Sequence, residues 1–129
     1  MYCVDSSIII DVLRGDELLG KRISDLMNQG VEFFINPITL CELYRGAYGH
    51  VHRERKIQEI NSLIKLFGLS ELDVASCEEF GKSYKKIKDN KKEIKDFDLL
   101  IGSIAKAHGQ TLVTRDNDFG NTNSEVEFW

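Results

Sequence analysis

Short apolar runs alternate with amphipathic segments along the whole chain, and that alternation constrains the fold more than any other feature. Tyr2-Cys3-Val4 ends at Asp5, Ser6 and Ser7 are good helix N-caps, and Ile8 to Arg14 reads as a helix stopped by Gly15. From Asp16 onward, Leu18, Leu19, Ile23, Leu26 and Met27 recur at helical spacing until Gly30. Val31 to Ile35 is the next strand. Asn36-Pro37 interrupts it, and Ile38 to Tyr48 reads as a helix with Leu40, Leu43, Tyr44 and Ala47 on one side. A loop at Gly49 to His52 leads to a helix from Arg53 to Phe67, then a weak strand at Leu69 to Asp73. The next helix runs from Val74 to near Lys88 with Cys77, Phe80, Tyr84 and Ile87 as its apolar stripe. Asp89 to Lys92 is a polar connection. Phe97, Leu100, Ile101, Ile104 and Ala105 build the most hydrophobic helix, and Thr111 to Val113 and Val126 to Phe128 are the last strands.

Strands separated by helices require crossover connections and hence a mainly parallel sheet covered on both faces, a three-layer α/β/α sandwich. The 129 residues suit one domain spanning the chain. In such sheets ligands collect beyond the carboxyl ends of the strands, so Asp5, after Val4, and Asp116, after Val113, are expected on one rim.

Composition narrows the class. Hydrophobic residues at 42%, charged residues at 29% and a single proline exclude disordered and collagen-like chains. The longest apolar runs, such as Ile8 to Ile10 and Leu99 to Ile101, fall far short of the roughly 18 residues of a membrane span. Asp5 and Asp11 interrupt any signal peptide, so a cytoplasmic location is expected. Cys3, Cys41 and Cys77 lack Cys-x-x-Cys spacing, and the apolar neighbours of Cys3 and Cys41 suit buried thiols in a reducing compartment. Lys+Arg number 17 against 21 Asp+Glu, a net charge of −4. This argues against nonspecific affinity for a polyanion but leaves room for carboxylates clustered on a metal.

Several familiar motifs are absent. Gly81-Lys82-Ser83 lacks the earlier glycine of a phosphate-binding loop, since Ser76 stands there, and no Gly-x-Gly-x-x-Gly follows Val4. His50 and His52 do not have the spacing of a helical zinc pair. None of His50, His52 and His108 is placed beside a rim residue as the base for a nucleophile.

The acidic residues carry more information. Asp5 reads equally as a helix cap or a site carboxylate; Glu42 alone reads as a solvated helix carboxylate, though Gly46 one turn on leaves space beside it. Asp98 is the sharpest anomaly, because it precedes Leu99-Leu100-Ile101 in an apolar helix, where an unpartnered charge is costly to desolvate. Asp116 and Asp118 follow a strand in a polar turn. If Asp5, Glu42, Asp98 and Asp116 converge, each pair of charges about 4 Å apart repels by roughly 4 kcal/mol at an effective dielectric of about 20. A divalent cation resolves that conflict, and oxygen-only ligands favour Mg²⁺ or Mn²⁺. Such a site suits phosphodiester hydrolysis.

Taken in order, Asp5-Ser6-Ser7, Glu42-Leu43-x-x-Gly46, Asp98-Leu-Leu-Ile101-Gly-Ser and Thr114-x-Asp116-x-Asp118-Phe119 resemble the PIN-domain (PilT N-terminus) family, and more narrowly its VapC-type toxins. The likeness runs from Val4 to Trp129. It implies a metal-dependent endoribonuclease that uses Mg²⁺ or Mn²⁺, dimerises, and is silenced by a VapB-like antitoxin. It also implies Asp5, Glu42, Asp98 and Asp116 as the acidic quartet, with Asp5, Asp98 and Asp116 on the metal. Ser7 and Thr114 would be hydroxyl supports, and Asp118 a supporting or second-metal residue. Where the family often has paired alanines, this chain has Gly102-Ser103, which keeps the packing near Asp98 close.

RNA needs a positive approach path past these acids. Arg45, Arg53, Arg55 and Lys56 near Glu42 and Arg115 beside Asp116 are candidates, while the run from Lys82 to Lys95 has the commoner reading of a solvated helix face. Two other readings stay open on sequence alone: a catalytically silent PIN-like binding module, and a phosphoacceptor domain. An apolar groove among the helices between Asp16 and Phe67, with Tyr44 or Tyr48, is a candidate dock for an antitoxin.

Overall fold

A computed structural model describes residues Met1–Trp129. Five strands form the sheet: β1 (Tyr2–Val4), β2 (Phe33–Ile35), β3 (Gly68–Leu69), β4 (Thr111–Thr114) and β5 (Val126–Phe128). Six helices connect them: α1 (Ser6–Leu13), α2 (Glu17–Asn28), α3 (Pro37–Tyr48), α4 (Arg53–Ile64), α5 (Val74–Asp89) and α6 (Asp96–Ala107), with a 3₁₀ turn at Asn117–Asn121. Every strand pair is parallel, and the order is β3-β2-β1-β4-β5.

Local chemistry sets these boundaries. Asp5, Asp16, Asn36 and Asp73 each accept a backbone N–H of the following helix through their side chains, and Pro37 occupies the first turn of α3, where its missing N–H is no loss. Gly15, Gly30 and Gly109 follow helices in the positive-φ region that glycine adopts without strain. Alternation along the strands then divides the core. Val4 and Val113 join Ile8, Ile9, Leu19, Ile23, Leu43 and Ile60 on the side covered by α1 to α4. Cys3 and Leu112 face Ile101 and Ala105 of α6 and Phe119 on the other side. The result is the expected three-layer sandwich. No helix is long and apolar enough to cross a membrane.

Some expectations are corrected. Helix α4 ends at Ile64, and β3 is Gly68–Leu69, sharing only Leu69 with the expected Leu69 to Asp73 strand. Cys3 is buried, but Cys41 and Cys77 are exposed, because both lie on the outward sides of helices whose neighbours cover the other face. The buried side of α5 is lined by Ser76, Ser83 and Ile87 rather than by Cys77 and Tyr84, since small residues let α5 approach α6 closely. Phe97 is likewise exposed, with Leu99 taking the buried position near the start of α6.

The sheet order fixes where a site can form. The chain runs from β1 through β2 to β3, then returns to β4 on the opposite side of β1. The crevice between the carboxyl ends of β1 and β4 is therefore the topological switch point.

Candidate functional site

Asp5 and Asp116 emerge from β1 and β4 at that switch point. Asp5 is only 2% exposed and is both a cap and a heavily hydrogen-bonded carboxylate. Its Oδ1 accepts the Ser6 N–H at 2.7 Å, while Oδ2 accepts the Ser7 hydroxyl and the Thr114 hydroxyl, each at 2.8 Å. The same Thr114 hydroxyl accepts the Asp116 N–H at 2.9 Å, and Ser7 Oγ accepts the Arg115 N–H at 3.0 Å. Ser7 and Thr114 thus tie the ends of β1 and β4 into one hydrogen-bonded unit.

Asp98 lies in the first turn of α6, where the helix dipole favours a carboxylate, yet it is 8% exposed. Burial, followed by the charges of Asp116 and Asp5, pushes its carboxyl up to about 6 against the opposing charge of Lys95. Glu42, reached from α3, is raised by burial and then by Asp5; Ser6 Oγ donates to its Oε1 at 3.3 Å and Arg45 opposes the shift. The charges of all four quartet members therefore meet at one rim.

Asp118 belongs there as well. Carboxylate oxygens of Asp98, Asp116 and Asp118 all lie within 4.8 Å of one another. The 3₁₀ turn produces this closeness, since Asp116 caps it and accepts the Asp118 N–H through Oδ1 at 2.9 Å. No lysine or arginine forms an ion pair with Asp5, Glu42, Asp98, Asp116 or Asp118. An all-oxygen set of this kind, without an ion-paired lysine or arginine, fits a hard divalent cation.

The cationic surroundings differ from the sequence expectation. Arg115 is held by other partners: its Nη1 lies 2.8 Å from Asp11 and 2.7 Å from Asp16, and its Nε donates to the Trp129 carbonyl at 3.1 Å. Arg55 and Lys56 pair with Glu59. Arg45 sits 5.7 Å over the exposed Phe97 ring, and Arg53 donates to the Tyr48 carbonyl. The nearest large cleft, about 500 Å³, is instead lined by Tyr84, Lys88, Lys92 and Lys95 together with Asp98 and Asp118. In the sequence those lysines read as a solvated helix face. The signal that marks them is the continuation of the lysine run past Asp89, the end of α5, into the segment leading to Asp98.

On the other side of Glu42, a groove of about 200 Å³ runs past Ile10, Leu13, Leu43, Gly46 and Ile60. Tyr48 is exposed at its helix and Tyr44 is partly buried.

The sequence matches the PIN domain across residues 2–124. Among characterised proteins, Ribonuclease VapC1 of Haemophilus influenzae is 26% identical over 117 residues, which is 90% of this chain and 87% of that protein. Among solved structures, VapBC2 from Rickettsia felis bound to a DNA fragment from its promoter superposes with a TM-score of 0.92 at 20% identity, covering 99% of this chain and 98% of that one. VapBC-1 from nontypeable Haemophilus influenzae gives a TM-score of 0.85 at 25% identity, covering 99% and 97%.

Proposed function

The chain belongs to the PIN-domain family, and on that premise we propose that it is a divalent-metal-dependent endoribonuclease, the toxin of a VapBC-type pair. The observation that carries this reading is the rim itself, where Asp98, Asp116 and Asp118 lie together beside Asp5 and Glu42 with no cation of the protein bonded to any of them. The name Ribonuclease VapC1 borne by relatives of nearly the same length supports it.

Asp98, Asp116 and Asp118 would hold the cation, with Asp5 beside them, and Mg²⁺ or Mn²⁺ fits the carboxylate set. When bound, such an ion neutralises phosphate charge and lowers the pKa of a coordinated water. Asp5 is oriented by Ser6, Ser7 and Thr114, so its position is fixed before substrate arrives. Glu42, raised in pKa and bonded by Ser6 through one oxygen only, keeps its second oxygen free to take a proton from attacking water. Ser6 therefore orients both the cap carboxylate and the base.

The partner would be a VapB-like antitoxin, as in the VapBC complexes that this chain resembles in fold. The apolar groove beside Glu42 suits a helical or extended peptide from it. A homodimer acting in the cytoplasm completes the reading. The direct test is incubation of the purified chain with single-stranded and structured RNAs in Mg²⁺, Mn²⁺ and chelator. Cation-dependent internal cuts are expected, and no cleavage of any RNA with either metal would leave the binding-module reading in its place.

A further inference from the structure

The cleft on the α5–α6 side is not needed to hold the carboxylates, yet it opens directly onto them. Asp98 and Asp118 line it together with Lys88, Lys92 and Lys95. None of these three lysines forms an ion pair, whereas Lys85 on α5 is paired with Asp89 and Lys106 on α6 with Glu79. Three ammonium groups without an ion-paired carboxylate thus line one cleft. Glu93 and Asp96 also border the cleft, so it is not a uniformly positive surface, and its anion-binding capacity rests on the lysines' position rather than on net charge.

One aromatic ring accompanies them. Tyr84 is 45% exposed at the cleft, with Lys88 Nζ 5.6 Å from its ring centroid. A flat exposed ring beside ammonium groups matches the pairing that single-stranded nucleic acid uses, bases stacking on the aromatic while phosphates meet the cations. Duplex RNA keeps its bases stacked on one another and cannot use the ring this way.

We infer that the cleft between α5 and α6 seats a single-stranded arm of the RNA flanking the cleaved bond, with Lys88, Lys92 and Lys95 on its phosphates and Tyr84 under a base. The inference rests on the ribonuclease reading for the identity of the scissile strand. The three lysines and Tyr84 are positioning residues: they deliver the strand to the carboxylates and leave the chemistry to Asp5, Glu42, Asp98, Asp116 and Asp118. The opposite groove, bordered by Ile10, Leu13 and Leu43, carries Arg14, His50 and a single lysine, Lys56, which pairs with Glu59, and no Tyr, Phe or Trp ring, which separates the two faces by chemistry.

The test is equilibrium binding of a labelled single-stranded oligoribonucleotide in Mg²⁺, in an Asp5→Asn background that prevents cutting during the measurement. Combined Lys88→Gln, Lys92→Gln and Lys95→Gln substitutions should weaken binding by about tenfold or more and reduce the slope of log affinity against log salt by roughly 2, near 0.7 per lost phosphate contact. Tyr84→Ala should weaken single-strand binding while leaving duplex binding unchanged. Matched Gln substitutions at Lys21, Lys65 and Lys82, outside the cleft, should change neither quantity. Unchanged affinity and salt slope in the cleft variant overturn the proposal. So does a cleft variant that binds RNA normally but fails to bind its antitoxin, because the cleft would then serve a protein. If the parent chain cuts no RNA yet the lysine substitutions still abolish binding, the ribonuclease reading fails and the cleft stands.

Discussion

Thr114 and Asp5 are 109 residues apart in sequence, yet the Thr114 hydroxyl donates to Asp5 Oδ2 at 2.8 Å across the seam between β1 and β4. Its oxygen simultaneously accepts the Asp116 N–H. One buried hydroxyl therefore holds the carboxylate of one acid and the backbone N–H of the other across two strand ends, and the sheet register that pairs Val4 with Val113 brings it there.

Removing that hydroxyl should loosen both acids together. Thr114→Val keeps the shape but leaves the Asp116 N–H unsatisfied, a loss of about 1–3 kcal/mol in stability. RNA cleavage should fall as well, and Thr114→Ser should recover most of both. Urea denaturation and single-turnover cleavage on the three proteins check this.

The metal-free site should be electrostatically strained above neutral pH. Asp98 has a folded pKa of about 6 against an ordinary value of 3.8, so between those values the folded chain binds more protons than the unfolded one. Stability therefore falls as pH rises through that window and stays lowered above it, by the order of 1 kcal/mol once solvent screening is allowed for. Thermal melts in chelator from pH 4 to 8 should show this contribution, and Asp98→Asn should flatten it. Adding Mg²⁺ or Mn²⁺ at the upper end should raise the melting temperature of the parent chain more than that of Asp98→Asn.

Arg115 is a clamp on the carboxyl-terminal segment. It joins Asp11 and Asp16, at either side of the turn between α1 and α2, to the Trp129 carbonyl. Trp129 packs edge-on against Tyr2 and Phe33 with Arg22 over its ring. Arg115→Ala should lower the melting temperature without removing RNA affinity, and Arg115→Lys should restore little, because an ammonium lacks the planar fork that reaches three acceptors. A loss of RNA binding with unchanged melting would contradict the clamp.

Gly102 should not tolerate alanine. A Cβ there would lie 2.7 Å from Ser124 Oγ and 3.0 Å from Thr122 Cβ, and Ser124 Oγ donates to the Gly102 carbonyl at 2.8 Å. Gly102→Ala should cost about 1–3 kcal/mol by overpacking, with Ser124→Gly relieving part of it. Denaturation midpoints of the single and double variants measure that coupling.

The alternation of strand and helix was legible because caps and breakers mark it: Asp5, Asp16, Asn36-Pro37 and Asp73 all stand where the helices begin. The rim positions of Asp5 and Asp116 followed from parallel topology alone. Sequence could not reveal which helical face is covered, since that depends on the partner: Tyr84 and Phe97 have apolar spacing but face outward, while Ser76 and Ser83 are buried against α6. The ion pairs of Arg115 were hidden for a related reason, because its Asp11 and Asp16 partners are about a hundred residues away and only the fold brings them close. Asp118 gained importance once the 3₁₀ turn folded it back beside Asp98.

The central claim is that the carboxylates at the switch point cut RNA with a divalent cation. Its most direct test is quantitative RNA cleavage in Mg²⁺ and in Mn²⁺ by the parent chain, Asp5→Asn and Asp98→Asn, each verified as folded by circular dichroism. The account predicts internal cuts by the parent that vanish in chelator, and rates at least about 100-fold lower in both variants, the scale on which removing one preorganised charge-stabilising group acts. Both folded variants cutting at the parental rate would contradict it.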